Sequence, residues 1–215
     1  MPAEMPNAVY YLPAPPDSAS EAFRYDLAQY AWGKQQRQDS VRSAIAVGDA
    51  VWSVDNICAI YKDVLGVTIS PEATPAIYRM LSIALMTTDQ AGKLAKENYM
   101  RTRPYVYYNE PTIVPGDEEE LRHNGSYPSG HTILGWSAAL LLTELAPEHA
   151  NAILARGYMY GESRVIAGFH WQSDVEAGRL VASAAVARIH ADKRFQKLMK
   201  KARKEYKRLQ KRRVL

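Results

Sequence analysis

From Pro75 to Arg103 the sequence reads as one long helix, and Pro104 stops it, since proline has no amide to donate and crowds the preceding turn. The segments around it carry the same helical pattern. Ser20 is placed to cap a helix reaching about Lys34, and Asp39 or Ser40 to start another reaching about Tyr61. Pro71–Pro75 is a break. Ser129 can cap a helix through Ala146, and Pro147 opens one that ends near Gly168. His170–His190 reads as the next helix and Lys193–Arg213 as a last, amphipathic one. Residues 104–128, with four prolines, two glycines and the acidic run Asp117–Glu120, read as loop.

No alternating strand pattern of useful length and no internal repeat appears. The expected fold class is therefore all-α, a single-domain helical bundle whose short connections make neighbouring helices antiparallel. Its expected parts are a proline-rich arm over residues 1–17, a helical domain over 18–192 and a basic helix or tail over 193–215. The arm holds Pro2, Pro6, Pro13, Pro15 and Pro16, and its Tyr10-Tyr11-Leu12 suggests that it packs on something.

Composition narrows the class further. With 47% hydrophobic residues the chain is too apolar for disorder, yet no apolar run approaches the ~18–20 residues needed to cross a bilayer. An integral membrane protein is not expected. The lone Cys58 excludes a disulfide framework within the monomer and a cysteine-based metal cluster. A histidine metal site would have to draw on His123, His131, His149, His170 and His190. The net charge of +4 is uneven: from Asp192 onward twelve Lys/Arg face two acids, a local balance of +10 against −6 for the rest. The basic character thus belongs to the tail and not to a nucleic-acid-binding body. Met1-Pro-Ala-Glu lacks the basic start and apolar core of a signal peptide, so the expectation is either a cytoplasmic chain or one whose signal was removed.

Three short blocks carry chemistry. In the first, Lys96 and Arg103 are seven residues apart, hence on one helix face and ~10 Å apart along the axis, and both can reach one anion. Arginine offers a planar donor fork and lysine a point charge. In the second, Pro128-Ser129-Gly130-His131 is a helix start whose first amides are free and partially positive. Gly130 lets an oxyanion approach its backbone N–H, and His131 stands beside it. In the third, Ser163-Arg164 is followed by His170 and Asp174, which are four apart and neighbours on a helix face. A carboxylate on one ring nitrogen leaves the other free to attack. Taken singly, the blocks also read as a solvated basic face, a capped helix with an incidental histidine and a structural His–Asp pair. Together they supply three cations, helix-end amides and two histidines, the inventory for phosphoryl transfer through a covalent phosphohistidine. No metal or other cofactor is required.

The order Lys96 and Arg103-Pro104, then Pro128-Ser129-Gly130-His131, then Ser163-Arg164, His170 and Asp174 resembles the type 2 phosphatidic acid phosphatase (PAP2) superfamily. Within it the chain looks most like the soluble bacterial class A non-specific acid phosphatases. Tyr99-Met-Arg101, Asn124-Gly-Ser-Tyr127 and His170-Trp-Gln-Ser-Asp174 extend the likeness, and the arm shares it, while the basic tail is heavier than the group leads one to expect. The resemblance implies that His170 attacks phosphorus, Asp174 orients it, and His131 protonates the leaving alkoxide and later helps water or another alcohol attack. Lys96, Arg103, Ser129, Gly130 and Arg164 would hold the phosphoryl oxygens. It also implies small phosphomonoester substrates, phosphotransfer to alcohols or nucleosides, a homo-oligomer, and a periplasmic or secreted location.

The alternatives are a vanadate-dependent haloperoxidase using the same residues, a peripheral lipid phosphatase and a non-enzymatic helical interaction domain. His123 is expected on the surface or at the pocket mouth, and His149 and His190 as ordinary helix residues. Tyr99, Tyr105, Tyr107 and Tyr108 are expected in packing before a pocket wall. For the tail, a solvated and partly frayed end is preferred over contact with anionic lipid or nucleic acid.

Overall fold

The computed structural model describes residues 5–213, so Pro2 of the arm and the last two residues of the tail lie outside it. Its helices are α1 (Glu21–Gln36), α2 (Ser40–Gly48), α3 (Val54–Ile60), α4 (Lys62–Leu65), α5 (Pro75–Tyr99), α6 (Pro104–Tyr108), α7 (Glu118–Arg122), α8 (Gly130–Leu145), α9 (Ala150–Ala167), α10 (Gln172–His190) and α11 (Lys193–Arg213). Short 3-10 turns form at Ala8–Tyr10, Pro115–Asp117 and Pro147–His149, and no strand occurs among the described residues. The all-α expectation holds.

The starts follow the cap chemistry. Ser20 Oγ accepts from the Phe23 amide at 3.1 Å, and Asp39 Oδ1 from the amides of Val41 and Arg42 at 2.9 and 3.1 Å. Each satisfies donors that the first helical turn leaves without an internal partner. α8 is apolar nearly all round, so it becomes the central helix, with α5, α9 and α10 packed about it. Close approach there needs glycine. A Cβ on Gly135 would lie 2.3 Å from the Tyr160 ring of α9, and one on Gly178 of α10 would lie 2.8 Å from the Ser129 carbonyl oxygen. The arm packs through Ala8 and Leu12 beside Ala91, Ala95 and Tyr127, and Tyr127 donates its hydroxyl to the Pro13 carbonyl at 2.7 Å. Tyr10 remains exposed. Cys58 is buried, which pushes its thiol up to about 12.

Four boundaries differ from the sequence reading. The long helix ends at Tyr99, where Met100 turns left-handed at φ 40°; Arg103 is extended and precedes a separate helix with Pro104 in its first turn. Lys96 and Arg103 are therefore not on one helix face. The segment expected to run from Asp39 to Tyr61 is split by a loop over 49–53. The stretch 104–128 contains α6 and α7. α10 starts at Gln172, so His170 precedes the helix instead of opening it.

The tail forms the expected helix over Lys193–Arg213, but it is not the solvated end expected of it. α11 is docked along α5, with Phe195, Met199, Ala202 and Tyr206 buried. Glu205 of α11 accepts from the amides of Ala76 and Ile77 at 3.2 and 2.8 Å, and so caps α5, whose own Thr74 makes no side-chain cap bond. Glu205→Ala is expected to cost about 1 kcal/mol, the usual worth of a cap, measured as a lower urea midpoint at unchanged m-value. An unchanged midpoint would show that the contact contributes nothing.

Candidate active site

The three blocks are sewn together by the backbone. Ser126 N donates to Arg101 O at 2.9 Å, joining the first block to the second, and Ser129 N donates to Asp174 O at 2.9 Å, joining the second to the third. Arg103 Nη1 donates to Phe169 O at 3.1 Å and closes the circle. At the end of α9, Gly168 takes a left-handed φ of 96°, and the amides of Phe169 and His170 then donate back to the Arg164 carbonyl. A side chain at Gly168 would be strained in that conformation. The turn sets His170 and Arg164 side by side.

Lys96, Arg103, Gly130, His131, Arg164 and His170 all line one cleft of about 1040 Å³. Ser129 and Asp174 stand behind that wall, fully buried. Ser129 Oγ caps α8, accepting from Thr132 N at 3.4 Å and from Thr132 Oγ1 at 3.0 Å. Ser163, also buried, donates to Asp49 Oδ2 at 2.6 Å and belongs to an ion network with Arg156 and Arg42 instead of the cleft.

Hydrogen bonding fixes the state of both histidines. His170 Nε2 lies 3.3 Å from Arg103 Nη1, and arginine can only donate, so Nε2 carries the lone pair. Nδ1–H then donates to Asp174 Oδ2 at 3.3 Å. Asp174 is held from two more sides: Oδ2 accepts from Trp171 N at 2.8 Å, and Oδ1 from Arg101 Nη1 at 2.6 Å. The His–Asp pair thus arises from a carboxylate reaching back over its own helix start, not from a shared helix face. His131 Nε2 lies 2.9 Å from the Ala50 carbonyl, which can only accept, so Nε2 bears the proton and Nδ1 is left free.

Electrostatics follow from burial among cations. Burial first, then Arg103, Lys96 and Arg164, hold His170 well below the usual histidine range. Burial and then Arg164 do the same for His131, while its bond to Ala50 opposes them. Burial, reinforced by Arg103, brings Lys96 down to about 7. Its ammonium donates to Gly125 O and Pro128 O at 2.8 and 2.9 Å. Burial lowers Arg103 and Arg164 to about 10 each.

Arg164 is the outlier. It is fully buried, it stacks on Phe169 at 4.6 Å, and Nε, Nη1 and Nη2 all lack a hydrogen-bond partner among the described residues. A buried guanidinium with every donor unmet is costly, and an anion with several oxygens would meet them.

Other groups emerge only in three dimensions. Arg101, nearly buried, bridges Asp174 and Asp26 of α1, and Asp26 also accepts from Ser173 N and Ser173 Oγ at 2.8 and 2.6 Å. Ala50 and Trp52 come from the 49–53 loop, where the Trp52 ring meets His131 edge-on at 4.6 Å. The loop is anchored by Asp49 to Arg156, with Oδ2 and Nη1 3.1 Å apart. His123 is exposed at the cleft mouth, 3.5 Å from Glu119. His149 lies in a 3-10 turn and His190 pairs with Glu144 in the last turn of α10. Tyr105, Tyr107 and Tyr108 serve packing around Phe169 and Trp171, and Tyr99 meets Tyr127.

Among the described residues no helix is long and apolar enough to cross a membrane. The fold is nevertheless similar to the crystal structure of a transmembrane PAP2-type phosphatidylglycerolphosphate phosphatase from Bacillus subtilis, with a TM-score of 0.53 over 80% of this chain and 87% of that one, at 18% identity. The chain is 45% identical to a non-specific acid phosphatase of Salmonella typhimurium over 95% of its own length and 82% of the relative's. It is 42% identical to a non-specific acid phosphatase of Providencia stuartii over 95% and 83%. An acid phosphatase of Zymomonas mobilis is 39% identical over 93% and 75%. The PAP2 superfamily profile matches residues 77–197, a span that contains all three blocks. The protein that brings Lys96, Arg103, His131, Arg164 and His170 around one cleft belongs to the PAP2 superfamily.

Proposed function

We propose that this protein is a metal-independent acid phosphatase that hydrolyses phosphate monoesters through a phosphohistidine on His170. The observation that carries the reading is Arg164, a buried guanidinium whose donors are all free beside a histidine lone pair. A phosphoryl group placed there would meet Arg164, Arg103 and Lys96 on its oxygens, and Gly130 in the first turn of α8 lines the same cleft. The names of the Salmonella and Providencia relatives support the acid-phosphatase part of the reading.

In the first step the His170 Nε2 lone pair attacks phosphorus and the P–O bond to the leaving group breaks. His131 delivers its Nδ1 proton to the departing oxygen, while Nε2–H stays on the Ala50 carbonyl. In the second step water attacks phosphorus, its proton passes to His131 Nδ1, and the P–N bond breaks to restore His170. An alcohol in place of water gives phosphotransfer by the same route. The arginines, Lys96 and helix amides meet the developing charge, so turnover is expected to survive EDTA. Following the resemblance to secreted acid phosphatases, this reading places the hydrolase in the periplasm or outside the cell.

The pH dependence follows in sign. His170 must be neutral and His131 protonated, and both are held below the ordinary histidine range, so the productive state belongs to acid pH. Lys96 adds to this: with its value lowered to about 7, the ammonium is present below that pH and lost above it, weakening phosphate binding. The expected profile of kcat/KM for p-nitrophenyl phosphate therefore falls from mildly acidic to alkaline pH. A flat profile over that range would contradict the assignment.

Arg164→Met tests the anion site itself. Inorganic phosphate at about a hundred times its Kd should stabilise the wild type by about 2.7 kcal/mol, read as a raised Tm. The variant should lose that rise and about 10²–10³ in kcat/KM. Without phosphate it should melt no lower than wild type, because an unmet buried charge has been removed. A phosphate-induced Tm rise retained in Arg164→Met would remove Arg164 from the site.

A further inference from the structure

The docking of α11 turns a basic tail into a fixed basic ridge. Its buried residues Phe195, Met199, Ala202 and Tyr206 recur at spacings of four and three, which is one helix face. Lys193, Lys197, Lys200, Lys204, Lys207 and Lys211 recur at the same spacings, and from Lys193 to Lys204 each is two positions before or after one of them. Two residues are about 200° of helix, so the lysine row is on the opposite side and all six are exposed. At 1.5 Å per residue the row is ~27 Å long. No acid interrupts it. Glu205 points inward to cap α5, and Asp192 is bonded to Arg194.

We propose that this ridge binds an anionic lipid surface and holds the enzyme against it. A straight row of six ammonium groups can meet a plane of headgroup charge along its whole length. The apolar stripe is spent on α5, so the contact is electrostatic and does not insert into the bilayer. The six charges of the row are lysines, point charges without the planar fork that arginine brings to individual phosphates, although Arg194, Arg203 and Arg208 of the same helix are also exposed. It bears no aromatic on which a base could stack, and the rest of the chain carries −6, which disfavours a nucleic acid extending past the ridge. A flat surface touching only the outermost side chains meets the ridge alone. The proposal is independent of the chemistry in the cleft.

The test is co-sedimentation of the full chain with vesicles of phosphatidylglycerol and phosphatidylcholine, and of phosphatidylcholine alone. Binding is expected to the anionic vesicles only, at low ionic strength, and to vanish in about 1 M salt, where charges are screened beyond ~3 Å. Each lysine neutralised should weaken binding about fivefold. The variant Lys197→Gln/Lys200→Gln/Lys204→Gln/Lys207→Gln should therefore lose more than ~100-fold while keeping wild-type phosphatase activity and Tm. Lys200→Gln/Lys207→Gln serves the same comparison with less change to the helix, at an expected ~25-fold loss. No sedimentation of the wild type with anionic vesicles at low salt would overturn the proposal. So would undiminished binding by the lysine variants, or capture of duplex DNA under conditions where the vesicles are ignored.

Discussion

His170→Ala is expected to abolish turnover of p-nitrophenyl phosphate, by at least about 10⁴-fold in kcat, in a protein that still folds. The loss is large because the proposed covalent route has no substitute for its nucleophile: among the described residues no other lone pair in the cleft is held against Arg103 with its proton on a carboxylate. The fold should survive because Asp174 keeps its bonds to Arg101 and the Trp171 amide when the imidazole is gone. His170→Asn sharpens the test. Its amide can still donate toward Asp174 but offers no nucleophilic nitrogen, so it should be as inactive as alanine. Steady-state kinetics beside a thermal melt decide it. Near wild-type activity in either variant, with an intact melt, would remove His170 from the role proposed.

Arg101→Ala should be the most damaging substitution for stability, at about 3–5 kcal/mol. Arg101 neutralises two carboxylates at once: Nη2 lies 2.7 Å from Asp26 Oδ2 and Nη1 2.6 Å from Asp174 Oδ1. Both acids are fully buried, and losing the shared cation leaves two negative charges out of water. Turnover should fall as well, since Asp174 is the group proposed to orient His170 through its contact with Nδ1. Arg101→Lys can satisfy one acid but not both in the same geometry, and should fall between. Urea unfolding measures the first effect and kcat the second. A cost under about 1 kcal/mol for Arg101→Ala would mean that the pair is screened in a way its burial does not suggest.

The contrast between what the residues announced and what they concealed has a physical pattern. The three blocks were legible because their chemistry is local: a serine before an apolar run caps a helix, and a glycine at its first position admits an anion. The Arg101–Asp26 pair was not, because its members are 75 residues apart: Arg101 belongs to the Tyr99-Met-Arg101 likeness, but nothing in the sequence marks Asp26 as its partner until the fold joins them. Ala50 was invisible for a simpler reason: only its carbonyl acts, and every residue has one. The early end of α5 carries no breaker, since Met100 adopts a left-handed φ without being glycine. α6 did carry a signal, Pro104 in its first turn, which the loop reading passed over. The apolar stripe of α11 was visible, yet the cap that fastens it depends on Glu205 meeting amides 129 and 128 residues away.

The most direct measurement is a crystal structure with orthovanadate, whose trigonal-bipyramidal form stands in for phosphorus under attack. Vanadium is expected bonded to His170 Nε2, with equatorial oxygens on Arg103, Arg164 and Lys96 and an apical oxygen beside His131 Nδ1. Vanadate bound elsewhere, or in the cleft with His170 turned away and Arg164 still unpartnered, would contradict it.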